Sequence, residues 1–175
     1  MDIVSSIMLG VVQGITEFLP ISSTGHLILA RTLLEIHDQN ALAFDAVLHL
    51  ATASAVVVYF FGDIWNMLQA LRRMLARMPV NPKDVLLIKA LVIGTIPAVV
   101  LGLLLEDIMD TVFRNPLLVA GVLVLGSIFF MYAEYNYGRR YRDGKIDAPT
   151  GFKIGLFQTL ALIPGFSRSG AALAG

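Results

Sequence analysis

Three apolar stretches, each long enough to cross a lipid bilayer, most constrain how this chain can fold. They are "ALAFDAVLHLATASAVVVYFF" (41–61), "VLLIKALVIGTIPAVVLGLLL" (85–105) and "PLLVAGVLVLGSIFFMYA" (116–133). A helix needs about 20 mostly apolar residues to span the hydrocarbon layer, and an isolated strand cannot satisfy its backbone there. Of the 175 residues, 57% are hydrophobic and 15% are charged, whereas soluble domains have about 25% charged residues. The sequence therefore predicts an all-α integral membrane protein.

The charge balance and the cysteine content exclude several functions. Basic and acidic residues number 13 each. The chain therefore lacks the positive net charge that would favour nucleic acid as a partner. The chain has no cysteine, which excludes disulfides, thiolate chemistry and cysteine-based metal sites. The expected partners are instead the membrane lipids that an apolar surface faces.

Three further apolar stretches are too short or too interrupted to span a bilayer. The first, 3–19, stops at a proline and is soon followed by the second, 24–34, while the third, 152–163, also stops at a proline. Such segments are typical of re-entrant half-helices that meet inside the membrane; a single kinked span or a tight helical pair over 3–34 is the alternative. We therefore divide one membrane domain, 1–175, into a first re-entrant motif (1–36), three spans (41–137) and the start of a second motif (152–175).

Basic and acidic loops alternate between the spans. The loops 62–84 and 138–153 are rich in arginine and lysine, whereas 106–115 has three acidic residues and one arginine. Basic loops stay in the cytoplasm, so we expect the first two inside and the third outside. The segment 65–78, "WNMLQALRRMLARM", is interpreted as an interfacial amphipathic helix or as a solvated loop helix.

Two polar motifs interrupt the broken segments and resemble each other. "GVVQGITEFLPISSTG" (10–25) and "GLFQTLALIPGFSRSG" (155–170) share a glycine, a glutamine, a proline and a serine-rich turn, with one gap before the proline. Three spans separate them, and because three is odd the second motif should enter from the opposite face of the membrane. The pattern therefore predicts an inverted-topology repeat; chance recurrence of glycine, serine and proline is the alternative.

The repeat would bring Glu17 of one motif to Arg168 of the other inside the bilayer. A charge at the bilayer centre costs about 2.5–3.5 kcal/mol, so the two either form a structural ion pair or serve a ligand. The neighbouring hydroxyls favour a ligand, since an ion pair does not need them.

Hydroxyl side chains surround both turns and can cap the helices that follow. Ser22, Ser23 and Thr24 precede the helix expected near Gly25, and Ser167 and Ser169 precede the one expected near Gly170. Two such turns aim N–H groups at one point, and an arginine binds phosphate bidentately. The sequence therefore predicts a phosphate pocket.

Acid–base chemistry at this pocket has two candidates. A serine hydroxyl needs a base within reach to attack phosphorus, and Glu17 and His26 lie on either side of the turn. His26 is otherwise structural, as we expect His49 in the first span to be. Glu17 can alternatively hold a divalent cation, because Mg²⁺ typically binds one or two carboxylates and substrate phosphates.

The motifs "QGITEFLPISSTGH" (13–26) and "PGFSRSG" (164–170), with "IGTIPA" (93–98), resemble the undecaprenyl-diphosphatase family of bacterial inner membranes, the bacitracin-resistance type. The resemblance runs along the whole chain. It implies inverted repeats and hydrolysis of undecaprenyl diphosphate on the periplasmic side, recycling the lipid carrier for peptidoglycan synthesis and conferring bacitracin resistance. It also implies dependence on a divalent cation, Mg²⁺ or Ca²⁺.

The family's motifs match Glu17, Ser23, His26 and Arg168 of this sequence, and we take these four as the candidate catalytic residues. Ser23 is expected to be the nucleophile or to position the attacking water, and Glu17 is also the expected metal ligand. The positions implied to bind substrate are Gln13, Ser22, Thr24, Gly25, Gly165, Ser167, Ser169 and Gly170. The chain has Ala172 where the family usually has threonine.

Other interpretations stay open at this point. Inverted repeats of broken helices are typical of transporters, so a transporter or flippase of polyprenyl phosphate lipids is the alternative function. A membrane scaffold without a ligand is a third. The first motif is followed by three spans and the second by none, which predicts a longer whole protein with about 80–120 further residues. The oligomeric state, monomer or homodimer, also stays open.

Overall fold

The computed structural model of the chain describes residues 2–37, 40–105, 115–137 and 146–175. All regular structure in these ranges is helical, which confirms the predicted all-α class. The helices are α1 (Ile3–Thr16), α2 (Ser23–Leu33), α3 (Ala41–Tyr59), α4 (Phe61–Leu75), α5 (Pro82–Leu104), α6 (Pro116–Tyr137), α7 (Ala148–Gln158), a 3₁₀ helix (Thr159–Leu162) and α8 (Arg168–Ala174).

Three of the described helices, α3, α5 and α6, are long and apolar enough to cross a membrane. Each lies where an apolar stretch predicted a span. Helix α5 begins earlier than predicted, at Pro82, because the Asn81 side chain accepts a hydrogen bond from the Lys83 N–H at 3.0 Å and proline suits the first helical position.

Helices α1 and α2 are two separate short helices. They have 14 and 11 residues, which at about 1.5 Å per residue is well short of a hydrocarbon layer of about 30 Å. The turn 17–22 joins them and they pack against each other. Residues 3–34 are therefore not one continuous helix, and the re-entry of this pair into the membrane stays a prediction.

The closest helix packing joins α5 and α7 through small residues one helical turn apart. A methyl group at Gly94 would lie 2.6 Å from the Gly151 carbonyl oxygen. A methyl group at Gly151 would meet the backbone of Ala90, and one at Gly155 would meet that of Gly94. Small residues let helix backbones approach closely in a membrane, where apolar side chains gain nothing by leaving lipid. This crossing holds α7, which leads into the second motif, against the span α5.

The buried interior of the described structure holds nearly as many polar side chains as apolar ones. Leu9, Leu27 and Val119 are fully enclosed, but most large apolar side chains of the spans are exposed, as expected of a surface that faces lipid. The buried polar and charged side chains are Gln13, Thr16, Ser22, Arg31, Thr52 and Ser167. Most of them lie in or beside the two motifs, so the fold collects its polar groups there.

The loop predictions are only partly covered by the described residues. Helix α4 takes up most of the predicted amphipathic segment, with Trp65 and Leu68 exposed and two arginines in its last turn. Its position at a membrane surface stays a prediction. Nearly all of the acidic loop 106–115 and the first half of the basic loop 138–153 lie outside the described residues, so the predicted sidedness also stays a prediction.

Candidate active site

The two polar motifs face each other across a small cleft, as the repeat predicts. Its cavity volume is about 40 Å³, room for about three water molecules. Its walls come from the turn after α1 and from the turn before α8. The lining residues are Thr16, Glu17, Leu19, Ser22, Ser23, Thr24, Ala161, Phe166, Ser167, Arg168 and Ser169.

The two turns are built alike around a capping serine. Ser22 Oγ accepts a hydrogen bond from the Gly25 N–H at 3.4 Å, and Ser167 Oγ accepts one from the Gly170 N–H at 3.2 Å. Both predicted caps are confirmed, although the helices begin two residues before these glycines. Ser22 also has a φ of 67°, which costs a residue with a side chain about 1–3 kcal/mol and is characteristic of functional sites.

Three predicted substrate-binding glycines serve as points of close backbone approach. Gly165 has a φ of 101°, and a methyl group there would lie 2.8 Å from the Val119 carbonyl oxygen. A methyl group at Gly25 would lie 3.2 Å from Gly165 Cα, and one at Gly170 would lie 2.5 Å from the Phe130 ring. None of the three lines the cleft; they allow the two turns and α6 to meet.

Three polar side chains converge on the Glu17 carboxylate. Its Oε2 atom accepts a hydrogen bond from Ser23 Oγ at 2.5 Å and one from Gln13 Nε2 at 2.9 Å. The Nδ1 atom of His49 lies 3.3 Å from the same oxygen. In the described structure every such contact falls on Oε2. A serine hydroxyl hydrogen-bonded to a carboxylate is an arrangement that can activate a nucleophile.

His49 is the site neighbour that the sequence analysis missed. It was expected to be structural, but the structure places its ring against Glu17 and 2.9 Å from Gln13 Nε2. Thr52, one turn further along α3, lies 3.4 Å from the same amide nitrogen. Asp45, His49 and Thr52 recur at spacings of four and three residues in an otherwise apolar span. A polar face of that kind inside a span is the signal that would have indicated a functional position.

His26 lies close to the cleft but does not line it. Its Nδ1 atom is 2.8 Å from the Ser22 carbonyl oxygen, one turn earlier in the chain. In the tautomer that donates from Nδ1 to this carbonyl, Nε2 is left as an acceptor. None of the hydrogen bonds among the described residues joins His26 to Glu17, Ser23 or Arg168, and its catalytic role stays a prediction.

Arg168 extends from the start of α8 and is exposed. Within the part of the chain that the structure describes, a salt bridge joins Arg31 to Asp45 at 2.6 Å, and His49 Nδ1 lies 3.3 Å from Glu17 Oε2, a pair of opposite charges only when the imidazole is protonated. Arg168 does not pair with Glu17, so the structural ion pair considered above is not formed. Arg168 lines the cleft and is not paired with an acidic residue of the described structure, so its parallel N–H groups can bind an anion there.

The site can hold a divalent cation only together with a bound ligand that supplies further oxygen atoms to the ion. Glu17 is the one carboxylate among the described residues that line the cleft. No group of three or more His, Asp or Glu residues that could hold a metal was found within the described ranges. Mg²⁺ typically binds one or two carboxylates and completes its shell with water and substrate phosphates, and Glu17 with the neighbouring hydroxyls matches that donor set.

Fold and site together define a class of protein: an all-helical membrane protein with an anion-compatible polar cleft between two broken helical segments. The sequence matches the family described as "Bacitracin resistance protein BacA" over residues 6–175. The chain belongs to this family.

Curated relatives are similar along the whole chain. The undecaprenyl-diphosphatase of Chloroherpeton thalassium is 42% identical over 183 residues, which cover 100% of this chain and 64% of the relative. That of Methanosphaera stadtmanae is 39% identical over 188 residues, covering 99% and 66%. That of Desulforudis audaxviator is 43% identical over 169 residues, covering 96% and 62%. The chain thus spans slightly less than two thirds of the length of these relatives.

Proposed function

We propose that this chain carries the active site of an undecaprenyl-diphosphatase, which hydrolyses undecaprenyl diphosphate to undecaprenyl phosphate and phosphate. The observation that carries the proposal is the 2.5 Å hydrogen bond from Ser23 to Glu17, in a cleft that Arg168 also lines. The membership of the family and the names of its relatives support the same reaction.

The reaction follows from these three side chains. Ser23 Oγ attacks the terminal phosphorus, its proton passes to Glu17, and the bond from phosphorus to the bridging oxygen breaks. Undecaprenyl phosphate leaves and takes this proton from Glu17. The regenerated carboxylate then accepts a proton from the water that attacks the phosphoserine, and Ser23 Oγ leaves phosphorus and recovers its proton from Glu17. In the alternative, Glu17 activates a water that Ser23 positions, and this water attacks phosphorus directly. In both routes Arg168 binds the phosphoryl oxygens, on which negative charge accumulates.

The remaining polar groups bind and position the head group. The N–H groups at the start of α2 favour an anion, since a helix N-terminus carries a partial positive charge. Ser22, Thr24, Ser167 and Ser169 supply hydroxyls around the phosphates, and Gln13 holds Glu17. His26 remains a catalytic candidate, with Nε2 as the acceptor when Nδ1 donates to the Ser22 carbonyl. The isoprenyl tail stays in lipid while the diphosphate enters the cleft.

A divalent cation, Mg²⁺ or Ca²⁺, is part of this proposal. Glu17 would hold it together with the substrate phosphates, and the ion would neutralise phosphate charge. We further propose that the site faces the periplasm from the bacterial inner membrane. Such an enzyme would recycle the lipid carrier for peptidoglycan synthesis and confer bacitracin resistance. Mass measurement in detergent would decide between a monomer and a homodimer.

Phosphate release separates the diphosphatase from the transporter alternative. The purified protein in detergent should release phosphate from undecaprenyl diphosphate, and a chelator should abolish the release until Mg²⁺ or Ca²⁺ is restored. His37→Leu is the control variant, and its phosphate release should match that of the parent, because His37 is exposed and outside the cleft. An obligate flippase would release no phosphate under any of these conditions. The relatives' names favour the diphosphatase.

A further inference from the structure

We infer that His49 is a positioning residue: from the span α3 it holds the Oε2 atom of Glu17 against Ser23. The inference rests on the proposed function, because it assigns a role in the reaction to a residue outside both motifs. Its basis is the 3.3 Å separation of His49 Nδ1 and Glu17 Oε2 and the hydrogen bonds that surround it.

Glu17 needs support from outside its own motif. It lies at the C-terminal end of α1, where the helix gives way to the turn. Two of the groups on its Oε2 atom belong to the same motif: Gln13 on α1 and Ser23 at the start of α2. Among the described residues, His49 is the one outside the motif whose side chain is recorded against this oxygen. It therefore ties the carboxylate to a membrane-spanning helix.

The Gln13 amide cannot perform this role alone. Its Nε2 atom lies 2.9 Å from Glu17 Oε2, 2.9 Å from His49 Nδ1 and 3.4 Å from Thr52 Oγ1. An amide nitrogen carries two hydrogens, and these go to Glu17 Oε2 and Thr52 Oγ1 when His49 Nδ1 carries the hydrogen that it donates to Glu17. The Oε1 atom of the same amide is buried and has no hydrogen-bond partner. Among the described residues, the Gln13 side chain is therefore held only through its nitrogen.

The two oxygen atoms of the Glu17 carboxylate differ in their recorded contacts. Oε2 accepts from Ser23 and is placed to receive its proton, while no hydrogen bond to Oε1 is formed among the described residues. A partial rotation of the carboxyl group, or another side-chain rotamer of Glu17, would move the accepting oxygen away from Ser23. Because Gln13 on α1 and His49 on α3 both contact this oxygen, they oppose such a movement.

Simple packing is the rival role for His49, and two substitutions separate the roles. His49→Leu keeps the bulk of the ring and removes its nitrogens. His49→Asn loses bulk but keeps an amide nitrogen near the Nδ1 position. Packing predicts that leucine is the better replacement, whereas positioning predicts that asparagine is.

The experiment measures turnover and the reactivity of Ser23 separately. Phosphate release from undecaprenyl diphosphate gives kcat and KM. A fluorophosphonate probe gives the reactivity: Ser23 Oγ bonds to its phosphorus, fluoride leaves, and the serine proton passes to Glu17. We expect His49→Leu to lower kcat and the labelling rate at least about tenfold, with KM changed less than about twofold. His49→Asn should recover both rates to within about threefold of the parent, and His37→Leu should match the parent.

Several results would overturn the inference. They are parental rates in His49→Leu, a change confined to KM, an asparagine variant no better than leucine, or a parent whose Ser23 is not labelled. If His49→Leu does not fold, His49→Ala compared with His49→Asn decides instead. If the parent releases no phosphate but its labelling follows the expected order, the proposed function fails and the positioning role stands.

Discussion

Ser169 donates a hydrogen bond from its side-chain hydroxyl to the carbonyl oxygen of Leu19, at 3.3 Å and across 150 positions of sequence. Leu19 lies two residues after Glu17, and Ser169 directly follows Arg168. The bond therefore joins the two turns beside their charged side chains. Ser169 Oγ also lies 3.0 Å from Ser167 Oγ, which connects this contact to the cap of α8.

Arg168→Lys should not preserve function. A lysine ammonium is a point charge and cannot reproduce the bidentate geometry of a guanidinium on phosphate. We expect kcat/KM for phosphate release to fall at least about tenfold, or about 1.4 kcal/mol of transition-state stabilisation. Near-normal turnover in the lysine variant would show that net charge alone is needed at this position.

Ser23→Ala should abolish turnover while substrate binding stays largely intact. The hydroxyl that contacts Glu17 is lost, but the N–H groups at the start of α2 and Arg168 remain. Ser22→Ala should cost far less activity and about 1 kcal/mol of stability, because it removes a helix cap. Kinetics and equilibrium binding on both variants are the measurements. If Ser22→Ala is inactive and Ser23→Ala is active, Ser22 has the catalytic role that is assigned here to Ser23. Normal turnover in both variants would favour water as the nucleophile.

Glu17→Gln should also abolish turnover. The amide can neither take the Ser23 proton nor hold a divalent cation as a carboxylate does. Gln13→Leu is the informative companion, since it removes a neighbour of the same oxygen without removing the base; its kcat should fall less than that of Glu17→Gln. Phosphate release over a range of Mg²⁺ concentrations is the measurement. Full activity in Glu17→Gln would exclude the carboxylate from both roles.

Gly155→Val should disrupt the crossing of α5 and α7. A side chain there would meet the Gly94 backbone, and a forced separation of packed elements costs about 1–3 kcal/mol. Gly121→Val on α6 is the matched control, because nothing lies within 4 Å of a methyl group at Gly121. Thermal unfolding in detergent should show a lower midpoint for Gly155→Val alone. Equal midpoints for the two variants would mean that the close approach does not contribute to stability.

The predicted sidedness can be tested with single cysteines, because the chain has none of its own. Cysteines at Arg73, Asp110 and Arg142 should react with an impermeant thiol reagent in intact cells only at position 110. Labelling at position 73 with protection at 110 would contradict the inverted repeat, which depends on this count of spans.

The sequence by itself determined the helical class, the three span-length helices and the two capped turns. These features depend on local properties. An apolar run must be long enough to cross the hydrocarbon layer, and Ser22 and Ser167 each stand three residues before a glycine whose N–H they accept. The meeting of the two motifs also followed from the sequence, because their similarity and an odd number of intervening spans predict it.

Only the tertiary structure decided which side chains touch within that frame. His49 reaches Glu17, Arg168 does not, and the small residues of α5 and α7 bring two backbones into contact. Each outcome depends on how far a helix is rotated and shifted along its axis relative to its neighbour. A span that is apolar on nearly every face can meet lipid in many rotations, so its hydrophobic pattern does not select one. A few polar contacts and close glycine approaches select it, and these exist only once the helices are packed.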